Sequence, residues 1–200
     1  MNTDTVIRKV QALLSVTVDG RAGPQTWQAI YERIAGKALP TTATFVGKVD
    51  ERSEKTIATL HPQVATYARS LVQRAASVGI EIKIIGGTRT YAEQDALFAQ
   101  GRTKPGKRVT NAKGGESNHN FGIAFDIGVF NGKTYLGESP SYDVVGPLGI
   151  DIGLEWGGAW TTLVDKPHFQ LRPEWADHLS EREMLAELRA RVAQGTDVYA

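Results

Sequence analysis

Apolar residues recur at helical spacing in two short series near the start of the chain. The two series are Val6, Val10, Leu13 and Leu14, followed by Trp27, Ile30, Tyr31 and Ile34. Val18-Asp19-Gly20 and Gly23-Pro24, which lie between the series, are typical of turns. The pattern therefore predicts a helical hairpin over residues 5–34.

A change in composition separates this hairpin from the rest of the chain. Pro40, Gly47 and several threonines follow the second series, and such residues favour an extended connection over a regular element. We therefore expect a small helical module at residues 1–36, a linker at 37–50 and one larger domain at 51–200.

Helical and strand patterns alternate along the larger domain. Helices are predicted at 53–60, at 62–79 and at 90–101, the last because Thr90 and Glu93 have the spacing of a capping box. Alternating isoleucines predict a strand at 80–84. This alternation begins an α+β pattern.

The second half of the domain continues the pattern with buried strands. A run of apolar residues predicts a strand at 123–130, closed by a hairpin turn at Asn131-Gly132, and a further strand at 169–171. A continuous helix is expected from Pro173 through Leu188, and the tail from Gly195 is expected to fray. Together these elements predict an α+β fold in which helices flank a small antiparallel sheet.

Composition excludes several classes of protein. The chain has 200 residues, of which 41% are hydrophobic and 22% charged, which is typical of a globular protein. A net charge of +1 argues against nucleic acid as the main partner. Cysteine is absent, so that any metal must be held by His, Asp or Glu. No apolar run reaches the roughly 18 residues of a membrane span, and no secretory signal is recognisable at the start.

Two histidines and an aspartate form a candidate metal site. His119, Asp126 and His168 provide the donor set of a catalytic zinc site, which uses three protein ligands and leaves one position for water. Asp126 lies on a predicted buried strand, where a bound cation would compensate the cost of burying its charge. Asp165 comes three residues before His168, where a general base is expected. The same donor set also fits non-haem iron oxygenases, although the tight His-x-Asp cluster common in those enzymes is absent.

Two basic features have both a structural and a functional interpretation. Arg89 follows a glycine-rich strand exit, so it could bind a carboxylate or a developing oxyanion, or form a structural ion pair. Residues 102–113 contain five basic residues, which fit a solvated loop or a rim that attracts an anionic substrate.

Longer motifs around these residues resemble a known family. The segment from Ser117 to Asp126 matches Ser-x-His-x-x-Gly-x-Ala-x-Asp, a signature of the zinc peptidases grouped with D-alanyl-D-alanine carboxypeptidases and dipeptidases. The segment Gly153-Leu154-Glu155-Trp156-Gly157-Gly158-Ala159-Trp160, with Asp165-Lys166-Pro167-His168-Phe169, resembles the branch that contains L-alanoyl-D-glutamate peptidases and phage endolysins. The resemblance covers roughly residues 50–171. The chain has Asp165 where the carboxypeptidase and dipeptidase branches typically have glutamate.

The resemblance implies specific roles for these residues. His119, Asp126 and His168 would bind zinc, Asp165 would act as general base, and Arg89 would stabilise the transition state. The remaining implied substrate contacts are Ser117, Trp156, Trp160 and Gln94. A tryptophan taken alone more often serves packing.

The N-terminal hairpin carries a second resemblance. The segment from Val18 to Thr26 is similar to the Asp-Gly-x-x-Gly-Pro-x-Thr signature of peptidoglycan-binding domains, although the module is too short for a full three-helix core. The combined resemblance implies a zinc peptidase that hydrolyses peptidoglycan stem peptides, preferentially the L-alanyl-D-glutamate bond.

Two alternatives to that activity stay open. One is D-alanyl-D-alanine carboxypeptidase action, and the other is a non-catalytic zinc-containing protein that binds the cell wall. We expect a monomer that is made in the cytoplasm and acts on the wall after release or export by another route. The sequence does not distinguish a phage lysin from a bacterial remodelling or recycling enzyme.

Overall fold

The computed structural model of the chain describes residues 2–20, 22, 24–36 and 49–200. It divides into two compact units, Met1–Thr42 and Ala43–Ala200. Most of the predicted linker at 37–50 lies outside the described residues, as do Arg21 and Gly23 of the predicted turn. None of the helices in the described ranges is both long and apolar enough to cross a lipid bilayer.

The first unit contains two helices, α1 (Thr3–Leu13) and α2 (Pro24–Ala35). The buried side chain of Gln11 connects α1 to the turn and to α2. Its Nε2 donates to Asp19 Oδ1 at 2.7 Å and to Thr26 Oγ1 at 2.9 Å, while its Oε1 accepts from the Gly20 amide at 2.9 Å. This polar cluster fixes the Asp-Gly turn that the sequence singled out.

The second unit contains the remaining helices and all strands of the described chain. Its helices are α3 (Glu51–Ile57), α4 (Pro62–Ser77), α5 (Tyr91–Ala99), α6 (Ser141–Ile150) and α7 (Glu181–Gln194). Its strands are β1 (Glu81–Gly86), β2 (Ala124–Asn131), β3 (Thr134–Leu136), β4 (Glu155–Trp156) and β5 (His168–Gln170). Short 3₁₀ turns occur at Asn118–Phe121, Gly157–Ala159 and Glu174–Ala176.

The strands form one antiparallel sheet in the order β1-β2-β5-β4, and β3 also pairs with β2. Strand β2 is central: β1 lies along one edge, while β5 and β3 pair with successive parts of β2. Segregated helices around an antiparallel sheet confirm the predicted α+β fold.

Helices pack against the sheet segments through two hydrophobic clusters. Ile82 and Ile84 of β1 join Val64, Ala68 and Leu71 of α4 in the main hydrophobic core. A second buried cluster joins Phe121 and Ile123, which flank the start of β2, to Met184 and Leu188 of α7. Apolar contacts therefore hold the segment from His119 to Asp126, which carries two of the candidate metal ligands, independently of its polar contacts.

The end of the chain differs from the prediction. The continuous helix expected from Pro173 is wrong, because Ser180 accepts a hydrogen bond from the Glu183 amide and starts α7 anew. The tail does not fray: the Tyr199 hydroxyl donates to the Leu171 carbonyl at 2.7 Å, and the Trp175 indole donates to the Val198 carbonyl at 2.9 Å.

Two further elements differ from the sequence pattern. The β2–β3 turn is displaced by one residue, because Asn131 pairs with Thr134 and leaves Gly132 and Lys133 as the turn. Helix α6 was not predicted, since Gly146, Pro147 and Gly149 disfavour a helix. The glycines are needed for packing: a Cβ at Gly146 would lie 2.4 Å from the Trp156 ring.

Candidate active site

Sheet register places the candidate ligands side by side. Asp126 of β2 pairs with His168 of β5 on one side and with Gly86 of β1 on the other. His119 comes from the 3₁₀ turn just before β2, and Gly122, at φ 70°, turns the chain from it towards the strand. Asp126 Oδ1 lies 3.2 Å from His119 Nε2 and 3.4 Å from His168 Nδ1. The ligand atoms of the three residues all lie within 4.8 Å of one another.

Hydrogen bonds at the outer ring nitrogens orient both imidazoles. His119 Nδ1 lies 2.8 Å from the Gly87 carbonyl, and His168 Nε2 lies 2.9 Å from Gln170 Oε1. Because both oxygens only accept, each outer nitrogen carries a proton, and the inner nitrogen that faces Asp126 is the one left to bind a cation when the ring is neutral. This arrangement is typical of metal-binding histidines.

The carboxylate of Asp126 attracts positive charge to this point. Burial alone would raise its pKa, but the charges of His119 and His168 and their hydrogen bonds outweigh burial and hold the pKa well below its usual value. Arg89 also donates to Asp126 Oδ2 at 2.6 Å. Burial has the opposite effect on His168 and by itself would lower its pKa. The hydrogen bond to Asp126 and the charge of Asp126 outweigh burial, and the pKa of His168 is raised overall.

The donor set fits a zinc ion. Two imidazole nitrogens and one carboxylate oxygen converge, and both histidines are almost fully buried, at 3% and 7% exposure. Zinc sites with three such ligands and an open position are the catalytic kind. The structure therefore supplies a His-Asp-His group that could hold a metal, as the sequence predicted.

Asp165 lies beside this group on the loop that leads into β5. Its amide donates to the Gly157 carbonyl at 3.0 Å, and its own carbonyl accepts from the His168 amide at 3.1 Å. A Cβ at Gly157 would lie 2.5 Å from that carbonyl, so glycine is needed for this approach. Although the Asp165 side chain keeps contact with solvent, partial desolvation and the Asp126 charge raise its pKa, against the opposing charges of His168, His119 and Arg89.

The implied substrate contacts fall into two groups. The Trp160 ring lies 5.1 Å from the His168 ring, and Ser117 immediately precedes the 3₁₀ turn of His119. Trp156 and Gln94 are engaged in the fold instead: the Trp156 indole donates to the Lys166 carbonyl at 2.8 Å, and Gln94 is buried and donates to the Ala112 carbonyl at 3.0 Å. Their predicted contacts with substrate stay predictions.

Part of the basic loop is structural. Arg102 donates to the carbonyls of Phe98 and Thr110, at 2.6 and 3.0 Å, and so closes the loop on itself. Lys104, Lys107, Arg108 and Lys113 are exposed. The rim interpretation therefore concerns these four side chains and not the whole run.

A buried polar group behind His168 was not predicted from the sequence. Gln170 contacts His168 and also accepts from Asn118 Nδ2 and donates to Glu155, both at 2.6 Å. Because side chains two apart on a strand point to the same face, a glutamine two residues after His168 was a usable signal.

The chain is similar to proteins of known activity. The model of the D-alanyl-D-alanine carboxypeptidase family matches residues 110–171. Over 126 residues the chain is 40% identical to the peptidoglycan L-alanyl-D-glutamate endopeptidase CwlK of Bacillus subtilis (strain 168). The aligned region covers 57% of this chain and 74% of CwlK.

Two solved structures are similar to the chain at lower identity. The L-Ala D-Glu endopeptidase ChiX of Serratia marcescens is 24% identical with a TM-score of 0.49, over 62% of this chain and 89% of that one. VanYB in complex with D-alanine-D-alanine is 17% identical with a TM-score of 0.47, over 80% of this chain and 90% of that one.

The matched family segment begins just before Ser117 and ends just after His168 and Gln170, so it spans the whole His-Asp-His group and Asp165. The 40% identity to CwlK extends well beyond that segment. The chain therefore belongs to the D-alanyl-D-alanine carboxypeptidase family of peptidases, to which its sequence motifs had pointed.

Proposed function

We propose that the protein is a zinc peptidase that hydrolyses peptidoglycan stem peptides at the L-alanyl-D-glutamate bond. The observation that carries this proposal is the convergence of His119 Nε2, His168 Nδ1 and Asp126 Oδ1. Arg89 contacts Asp126, and the Asp165 carbonyl accepts a hydrogen bond from the His168 amide. The choice of bond is supported by the named activity of the relative that is 40% identical.

In this proposal, His119, Asp126 and His168 hold the zinc ion. When bound, the ion would supply Lewis-acid chemistry to the scissile carbonyl and to a water molecule, whose proton would then be easier to remove near neutral pH. Asp165 accepts that proton as the water attacks, and then donates it to the leaving amine. Its raised pKa suits both steps, because the protonated form is easier to reach than in an ordinary aspartate.

Arg89 has two tasks in this reaction. One of its nitrogens holds Asp126 Oδ2 at 2.6 Å and so orients the metal-binding carboxylate. A guanidinium has five N–H donors, so further donors are available to the oxyanion that develops on the substrate. Its side chain keeps 26% exposure, which is compatible with access by a substrate.

We further propose that the module at 1–36 binds the cell wall, through the turn that Gln11 fixes, and that the linker at 37–50 connects it to the peptidase domain. Ser117, Trp156, Trp160 and Gln94 are proposed substrate contacts, among which Trp160 lies beside a candidate ligand. The protein would act as a monomer on the wall after release or export.

Mass spectrometry of cleavage products tests the proposed activity. Zinc-loaded protein would be incubated with purified peptidoglycan and with a synthetic stem peptide that contains L-Ala-D-Glu. We expect a new N-terminal D-glutamate that appears with the wild type but not with Asp165→Asn, which keeps the shape of the side chain but cannot accept the proton. Asp151→Asn, at an exposed aspartate after α6, is the matched control and should cleave normally.

Other products would redirect the proposal. Release of terminal D-alanine would identify carboxypeptidase activity, in line with the description of the matched family. Failure to cleave any stem, with zinc bound and the fold intact, would refute the peptidase proposal and favour a wall-binding protein. Iron in place of zinc after purification would favour the oxygenase alternative.

A further inference from the structure

A buried amide behind the candidate metal site has no role in the proposed reaction. Gln170 is 1% exposed and lies two residues after His168 on β5. Its Oε1 lies 2.9 Å from His168 Nε2 and 2.6 Å from Asn118 Nδ2, and its Nε2 lies 2.6 Å from Glu155 Oε2. One side chain thus joins both candidate histidine segments, because Asn118 directly precedes His119.

The charge of Glu155 decides which way this amide points. An ionised carboxylate can only accept hydrogen bonds, whereas an amide has a donor end and an acceptor end. The donor end of Gln170 must therefore face Glu155, and its acceptor end must face His168. Asn118 supports the same orientation, because its NH2 group donates to Gln170 Oε1 and also to Glu181 Oε1, both at 2.6 Å.

An acceptor at this position fixes the tautomer of His168. Only a proton on Nε2 can satisfy Gln170 Oε1, and the neutral ring then has its lone pair on Nδ1. Nδ1 is the nitrogen that lies 3.4 Å from Asp126 Oδ1, within the His-Asp-His group. With the amide reversed, an NH2 group would face Nε2, and the proton would be favoured on Nδ1, where it would block the metal.

We propose that Gln170 is a positioning residue for the metal site: held by Glu155, it keeps the proton of His168 on Nε2 and leaves Nδ1 free to bind the ion. The proposal rests on the metal-binding role of His168 in the proposed function. It is independent of which peptide bond is cleaved, so its test needs no substrate. Glu155 acts through Gln170 and touches no candidate ligand in the described structure.

Zinc affinity and the His168 proton provide the test. Zinc binding would be measured by competition with a chelator, and ¹⁵N NMR of the zinc-loaded protein would show which ring nitrogen of His168 carries hydrogen. In the wild type we expect a protected Nε2–H and Nδ1 bound to zinc. In Gln170→Leu, the loss of the acceptor should weaken zinc binding on the order of 10- to 100-fold and expose Nε2–H to exchange.

A reversed pair separates positioning from simple packing. In the double variant Glu155→Gln/Gln170→Glu, the new carboxylate at 170 accepts from His168, from Asn118 and from the new amide at 155. Zinc affinity and the protected Nε2–H should return to near wild-type levels. Glu174→Gln is the matched control, because Glu174 is exposed and is not among the residues that contact Gln170 or Asn118 in the described structure; it should change zinc affinity less than threefold.

Each outcome decides the matter. Recovery in the reversed pair supports the proposal even if Gln170→Leu fails to fold. A reversed pair that folds, by circular dichroism, but binds zinc as weakly as a variant without an acceptor would overturn it. So would a proton on Nδ1 of wild-type His168, or an equal loss of affinity in Glu174→Gln. Absence of zinc binding by the wild type would instead refute the proposed function itself.

Discussion

Gly86 lies next to the candidate site, and a methyl group there should damage the site specifically. Gly86 pairs with Asp126 across the sheet, next to a register shift between Ile84 and Gly86. A Cβ at residue 86 would lie 2.5 Å from Asp126 Oδ2 and 3.1 Å from its Cβ and Cγ. The same Oδ2 accepts the 2.6 Å hydrogen bond from Arg89.

The size of the effect follows from these distances. Because Cβ contacts under 3.0 Å essentially do not occur, the carboxylate in Gly86→Ala must retreat by at least about 0.5 Å. Such overpacking costs about 1–3 kcal/mol of unfolding free energy. A functional constellation tolerates displacements of only about 0.5 Å, so zinc affinity should fall by about tenfold or more.

Two assays separate these effects. Urea unfolding of the metal-free protein measures the cost to the fold, and chelator competition measures the cost to the site. Gly137→Ala is the matched control, since a Cβ there would meet nothing closer than 3.4 Å, and it should change neither quantity. If Gly86→Ala bound zinc within twofold of the wild type, the inferred contact between residue 86 and Asp126 would be wrong.

Three further predictions concern titration and the end of the chain. Because the folded-state pKa of Asp165 is raised, its ionisation destabilises the metal-free fold as pH rises; Asp165→Asn should therefore increase resistance to urea at pH 7 but not at pH 3, and equal effects at both would refute this. Burial is the main cause that raises the pKa of Tyr142 from 10.0 to about 12. The free energy of unfolding should therefore fall as pH rises from 10 to 12, because the unfolded chain loses this proton first, and Tyr142→Phe should reduce that fall. Tyr199→Phe removes the hydrogen bond to the Leu171 carbonyl and should cost about 1 kcal/mol in urea unfolding, whereas no change would show that the tail is not anchored there.

Local signals in the sequence were sufficient for much of the fold. The capping box at Thr90 and Glu93 is present as predicted, because its two hydrogen bonds depend only on residues three apart. The strand at 124–131 was also identifiable, since its apolar run requires burial whatever packs against it. The grouping of His119, Asp126 and His168 was predicted from donor chemistry and from family motifs.

Features that depend on distant partners were not predictable in the same way. The glycines of α6 read as helix breakers, yet Gly149 is required because a Cβ there would lie 2.4 Å from the Phe169 ring. The anchored tail depends on a hydrogen bond between residues 28 apart in sequence. Glu155 and Gln170 are ordinary polar residues until β4 and β5 pair and bring them together.

The spacing of the candidate ligands along the chain has a consequence for folding. His119 and Asp126 are separated from His168 by the hairpin, α6 and the loop before β5, and only the pairing of β2 with β5 brings the three together. An unfolded chain therefore presents no comparable site, so a bound ion stabilises the native state alone. Free zinc at 100 times its dissociation constant would add about 2.7 kcal/mol to the unfolding free energy. A chelator should accordingly lower the melting temperature of this protein as well as stop its chemistry.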